Sequence, residues 1–192
     1  MFTTGYELTT GLTNLLILLV SLIGVFKIKN NKPWRLFYIF MSIDSTLSFI
    51  VHSFKISIQL NIVLWILLLI FFIMTLNSFL VVFFKLKPIY IILLTILLIG
   101  ILILEVILDF NYIFTFDIFV FLTILLCLIK LIKNNYKNKT YYYLAFILSF
   151  ISAVVAILNF ELLVLNYNGI SHIFIALTLL LFLIGIKKNS LE

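Results

Sequence analysis

Charge is what this 192-residue chain has least of: 10% of its residues are Asp, Glu, Lys or Arg, while 65% are hydrophobic. So little polar material cannot cover the water-exposed surface of a domain this size, which excludes an ordinary soluble fold. The chain has one cysteine, Cys127, so no intrachain disulfide and no cysteine-based metal site can form. In its apolar run, that thiol reads as a small buried apolar residue. Glycine (6) and proline (2) are scarce, so helices should run unbroken. There is no HExxH or other local metal motif, no internal repeat and no low-complexity linker.

What is present is length in the right places. Mean hydropathy is +1.34. Apolar segments run over about 8–26, 35–54, 59–84, 88–108, 112–132, 141–160 and 169–186. Each has roughly the 17–25 residues that a helix needs to cross a bilayer core. Backbone groups in lipid must be satisfied within the segment, and nothing here alternates with a barrel's period of two. The sequence therefore predicts an all-α fold: one transmembrane domain, a polytopic bundle of seven helices whose short loops make successive helices antiparallel. The first segment has no basic residues before it and no small-residue cleavage site, so it reads as a span and not as a cleaved signal.

The net charge of +6 is distributed as membrane loops distribute it, in short clusters between apolar segments, and predicts membrane lipid as partner and no nucleic acid. Lys27, Lys29, Lys32 and Arg35 follow the first segment, and Lys85 and Lys87 the third. Lys130, Lys133, Lys137 and Lys139 follow the fifth, and Lys187 and Lys188 the seventh. Only Lys55 falls on the other side. By the positive-inside rule the N-terminus is extracytoplasmic and the C-terminus cytoplasmic, in the cell membrane.

The histidines and most carboxylates gather at the end away from the lysines. Glu7 opens the first segment, and His52 closes the second. Glu105 and Asp109 close the fourth, Asp117 lies early in the fifth, Glu161 precedes the seventh, and His172 lies in its first turn. Asp44 sits near mid-membrane, where by insertion scales an Asp costs about 2.5–3.5 kcal/mol, so it needs a partner such as Asn14 or Asn77. Spacing by four joins Asp44, Ser48 and His52, and likewise Asn168 and His172; Glu7, Thr10, Gly11, Asn14 and Ser21 form a stripe along the first segment.

Two imidazoles and a carboxylate are a common ligand set for catalytic zinc, with water in the open position. On this reading His52 and His172 are ligands, and Asp109 or Asp117 completes the set. Glu7 is the general base, with Ser48 beside it, and Asp44, Asn166 and Asn168 give support. Asn168, one turn above His172, can cap the last helix or orient the ring. The same residues also fit a second reading, a non-enzymatic sensor or transport component whose polar side chains form a hydrated packing lattice. The transport version is weakened by the lack of broken helices and of a repeat.

Over nearly its whole length the chain resembles an uncharacterised family of small seven-helix membrane proteins. The resemblance lies in "ELTTGLTNLL" (Glu7, Thr10, Thr13), "SFIVHSF" (His52), "LDF" (Asp109) and "NYNGISHIF" (Asn166, Asn168, His172). More loosely, Ser48 and His52 resemble the Ser-x-x-x-His element of the alkaline ceramidase and progestin/adiponectin receptor superfamily. His172 matches one of that superfamily's paired histidines, while Ala176 stands where the second would be. This resemblance implies zinc-dependent hydrolysis of a lipid amide or ester, on a lipid-like substrate near the outer leaflet.

Overall fold

A computed structural model describes residues 5–107, 112–134, 138–162 and 165–190; the side chains of 5–7, 105–107, 112–117, 189 and 190 are not part of that description. One helix forms for each apolar segment: α1 (Gly5–Lys27), α2 (Lys32–Ser53), α3 (Ile58–Phe84), α4 (Ile89–Ile107), α5 (Tyr112–Lys133), α6 (Lys139–Ile157) and α7 (Tyr167–Ser190). Among the described residues there is no strand, only an isolated bridge between Leu162 and Leu165. Five of the helices, α1, α2, α3, α6 and α7, are long and apolar enough over their described residues to cross a membrane, and α4 adds a shorter apolar stretch, Ile89–Leu104.

Local chemistry sets the helix ends. The side chain of Asn31 accepts the Trp34 N–H, with Pro33 in the first turn, where its missing donor costs nothing. Ser57 caps α3 through the Leu60 N–H. α3 stops at Lys85, which turns into the left-handed region at φ 55°.

Many polar side chains are buried beside the apolar core while large apolar side chains cover the surface, unlike a soluble protein. On α1, Thr10, Thr13, Asn14, Ile17 and Ser21 are buried, while Leu12, Leu16, Leu19, Ile23 and Phe26 are exposed, Phe26 by 70%. A surface so greasy is stable only in lipid. Buried hydroxyls satisfy themselves on the preceding turn, as Ser42 does on the Tyr38 carbonyl, Ser45 on Met41 and Thr75 on Phe71. Others bridge helices. Ser152 and Ser171 exchange hydrogen bonds with each other's carbonyls at 3.1 and 2.9 Å, clamping α6 to α7, and Asn77 donates to Thr95 at 3.0 Å, joining α3 to α4.

Packing is densest between α1 and α2, α6 and α7, α2 and α3, and α1 and α7. α5 leans on α3 and more sparsely on α4 and α6; its described residues do not reach α1, α2 or α7. Close approach of the central helices rests on small residues. A Cβ on Gly24 would overlap the ring of Tyr38, which is itself pinned by a 2.6 Å hydrogen bond to the Leu179 carbonyl. Toward the lysine-rich end an aromatic core fills the bundle. Trp34 stacks on Tyr142 at 5.5–6.2 Å from Phe37, Phe79, Phe83 and Phe182 as well, mostly edge-to-face or tilted.

Candidate functional site

At the other end of the bundle, the start of α7 is built by Asn166. Its side-chain Oδ1 accepts the Gly169 N–H at 2.8 Å and its carbonyl accepts the Ile170 N–H at 3.0 Å, so it caps the helix. The same Oδ1 accepts the Thr10 hydroxyl at 3.0 Å, which ties the first turn of α7 to α1. Asn166 is therefore the cap expected of Asn168: α7 begins two residues before the apolar run does, and the cap moves with it.

One turn further in, Thr13 Oγ1 lies 3.1 Å from Nδ1 of His172 and donates to the Thr10 carbonyl at 2.9 Å. A threonine hydroxyl has one proton, and here the carbonyl takes it. Nδ1 of His172 must then be the donor to Thr13. The network thus assigns the neutral Nδ1–H tautomer, in which Nε2 is the ring's acceptor nitrogen. His172 is half-buried.

His52 ends α2 at the same level. Its ring meets Trp65 of α3 edge-on, with centroids 5.7 Å apart and planes at 86°. It lies within electrostatic range of His172. Beside it, Val51, Lys55, Asn61 and Trp65 help line a cavity of about 440 Å³. The end of α2 can come this close to α1 because position 11 is glycine: any Cβ there would overlap Ser53 Oγ.

Ser48 is buried one turn below His52, and Asp44 is buried one turn below that. Asp44 faces the bundle as its depth requires, but neither expected partner holds it. Asn14 donates to the Thr10 carbonyl and Asn77 to Thr95, and Asp44 Oδ1 has no hydrogen-bond partner among the described residues. Both asparagines found acceptors closer along their own or the next helix.

Asp109 lies outside the described residues. Glu7 and Asp117 fall on α1 and α5, but their side chains, like that of Glu105, are outside the description. Among the described residues no group of three His, Cys, Asp or Glu gathers as a metal site would require. The chain-level pattern missed two participants. Thr13 falls outside the polar stripe of α1 and entered only through the resemblance carried by "ELTTGLTNLL". Trp65 had no sequence signature at all, since nothing local shows which face of a 27-residue apolar helix meets His52.

No curated protein and no solved structure matches the chain. A family model does, across residues 9–191, which span every residue of the site described above except Glu7. The chain is a membrane-spanning member of DUF6962, a family of unknown function.

Proposed function

We propose that the histidine end of α1, α2 and α7 is a hydrolytic centre for a lipid-like amide or ester, with His52 and His172 as the protein ligands of a zinc ion. The observation that carries this reading is the Thr13–His172 contact, because it orients the ring through Nδ1, as the outer hydrogen bond of a ligand histidine does. Both histidines belong to this end of the bundle: His172 contacts Thr13 of α1, and His52 immediately precedes Ser53, which packs on Gly11 of α1. The third ligand, Glu7, Asp109 or Asp117, comes from outside the described side chains. Register favours Glu7, because α1 touches both α2 and α7, and position 7 lies between Thr10, which meets α7, and Gly11, which meets α2. Asp117 stands on a helix whose described residues contact neither.

Zinc supplies a bound water acidic enough to be a nucleophile near neutral pH. The chain's own groups do the rest. Thr13 holds the His172 ring, and Asn166 and Thr10 hold the helix that carries it. Ser48 offers a hydroxyl one turn from His52, and the cavity beside His52 gives an acyl chain or headgroup a way in. With the lysine clusters on the cytoplasmic side, this centre opens toward the outer leaflet of the cell membrane. Reporter fusions at 55–57 should then read extracytoplasmic and at 27–34 cytoplasmic.

The test is metal analysis of purified protein. Zinc near one per chain is expected in the native protein and a loss of at least tenfold in affinity in His52→Ala and in His172→Ala. Equal metal content in all three would end the zinc reading. A second reading, a hydrated packing lattice without catalysis, is favoured by the Ser152–Ser171 pair, which joins α6 to α7 through hydroxyls and carbonyls alone.

A further inference from the structure

The lysine-rich end of the bundle contains a second and larger cavity, of about 770 Å³, where the ends of α1, α3 and α7 meet the loop before α2. Four lysines line it: Lys27, Lys29, Lys85 and Lys187. Its floor is Trp34, which is only 4% exposed and held on all sides by the aromatic core. Its deeper wall is apolar, with Ile28, Val82 and Leu86 among the lining. Among the described residues none of its lining is acidic.

A positive cavity is notable here because its surroundings partly oppose it. Three helix C-termini converge on it, and each carries roughly −0.5 of an elementary charge, while the N-terminus of α2 returns roughly +0.5. Against four lysines the balance is still roughly +3. The neighbouring basic residues do not share this concentration. Lys188 is turned onto Tyr141, 2.6 Å from its hydroxyl, and Lys130 lies 5.4 Å over the ring of Phe84. Lys85 enters the cavity from a left-handed backbone, a conformation that costs a non-glycine residue energy and persists where the surroundings demand it.

We propose that this cavity binds a phosphate-bearing anionic group, its charge held by Lys29, Lys85 and Lys187 and its apolar portion lying on Trp34 and the wall below. Basic pockets between membrane helices take lipid headgroups by this combination of charge and greasy depth. A soluble phosphate compound satisfies the same lysines, and the experiment separates the two sources.

The chain contains two tryptophans, so Trp65→Phe leaves Trp34 as a single fluorescent reporter at the floor of the cavity. The protein, in nanodiscs, is titrated with phosphatidylglycerol or phosphatidylcholine carrying brominated acyl chains. Quenching of Trp34 at lower mole fraction of phosphatidylglycerol is expected. The combined Lys29→Gln, Lys85→Gln, Lys187→Gln protein should lose that preference by on the order of 100-fold, at about five-fold per lysine. The corresponding three arginine substitutions should keep it, as should Lys130→Gln with Lys188→Gln. A shift of Trp34 emission on adding pyrophosphate to phosphatidylcholine nanodiscs, absent in the glutamine protein, assigns the site to a soluble phosphate source. Equal quenching by the two lipids with no response to pyrophosphate, or a preference that survives the glutamine substitutions, overturns the proposal.

Discussion

Replacing Thr13 by valine keeps the shape of the side chain and removes one oxygen. That oxygen makes two hydrogen bonds, to the Thr10 carbonyl at 2.9 Å and to His172 Nδ1 at 3.1 Å. The carbonyl loses little, because the side chain of Asn14 still donates to it at 3.1 Å. The imidazole is the group left in need. A buried donor stripped of its acceptor costs about 1–3 kcal/mol, which is roughly a 5- to 150-fold weaker preference for the Nδ1–H tautomer. The chain has two histidines, so selective labelling of histidine nitrogen yields two rings, and His52→Asn assigns them. Nitrogen chemical shifts then read each tautomer directly, with no assumption about metal or substrate. In the native protein His172 is expected as Nδ1–H. In Thr13→Val it should shift toward the Nε2–H form or a mixture, with a stability loss of similar size. A native His172 protonated at Nε2, or a tautomer indifferent to Thr13→Val, would refute the network from which the tautomer was assigned.

The remaining outcomes concern packing and burial. Gly24→Ala should destabilise by about 1–3 kcal/mol, because its Cβ meets a Tyr38 ring that cannot retreat while its hydroxyl is bonded to Leu179; Gly100→Ala, with nothing near its Cβ, should be neutral or gain up to about 1 kcal/mol in thermal or denaturant unfolding. Ser152→Ala and Ser171→Ala should show a coupling of about 0.6–1.7 kcal/mol in a double-mutant cycle, and additivity would mean the reciprocal bonds contribute no joint term. Asp44→Asn should leave stability unchanged or raise it by about 1–3 kcal/mol, since Oδ1 has no partner to lose; a large loss in unfolding assays would reveal a partner among the undescribed side chains.

The helices were legible because the bilayer imposes a length, and runs of about 20 apolar residues separated by lysine clusters leave few alternatives. Which helices touch was not legible in the same way. α3 and α4 are apolar on nearly every face, so no period marks an inner side. That is why α5 could be drawn on paper into a site with α2 and α7, while in the fold it leans on α3. Asp44 shows the same limit on a smaller scale. Its depth follows from counting residues, and burial follows from depth. Its partner depends on how far each neighbouring helix is rotated, and rotation is set by contacts such as Gly24 on Tyr38 that no single segment encodes.

The candidate site was partly legible for a different reason. Residues three or four apart share a helix face, so Thr10 with Asn14 on α1 and Asn168 with His172 on α7 were visible as pairs. What spacing cannot show is that α1 meets α7, or that the bond runs from Thr10 to Asn166 and from Thr13 to His172. Polarity of the interior resolves this physically. In lipid a hydroxyl that leaves its own helix has only the polar groups of other helices to bond, and here Thr10 and Asn166 supply one such pair. Polar stripes at one level can therefore satisfy each other, as Thr10 with Asn166 and Thr13 with His172 do. The argument also explains the partition of the molecule. Seryl and threonyl groups can be satisfied anywhere along the bundle by the preceding turn. Both histidines sit where a neighbouring helix meets the ring: Thr13 Oγ1 at Nδ1 of His172, and the edge-on ring of Trp65 against His52.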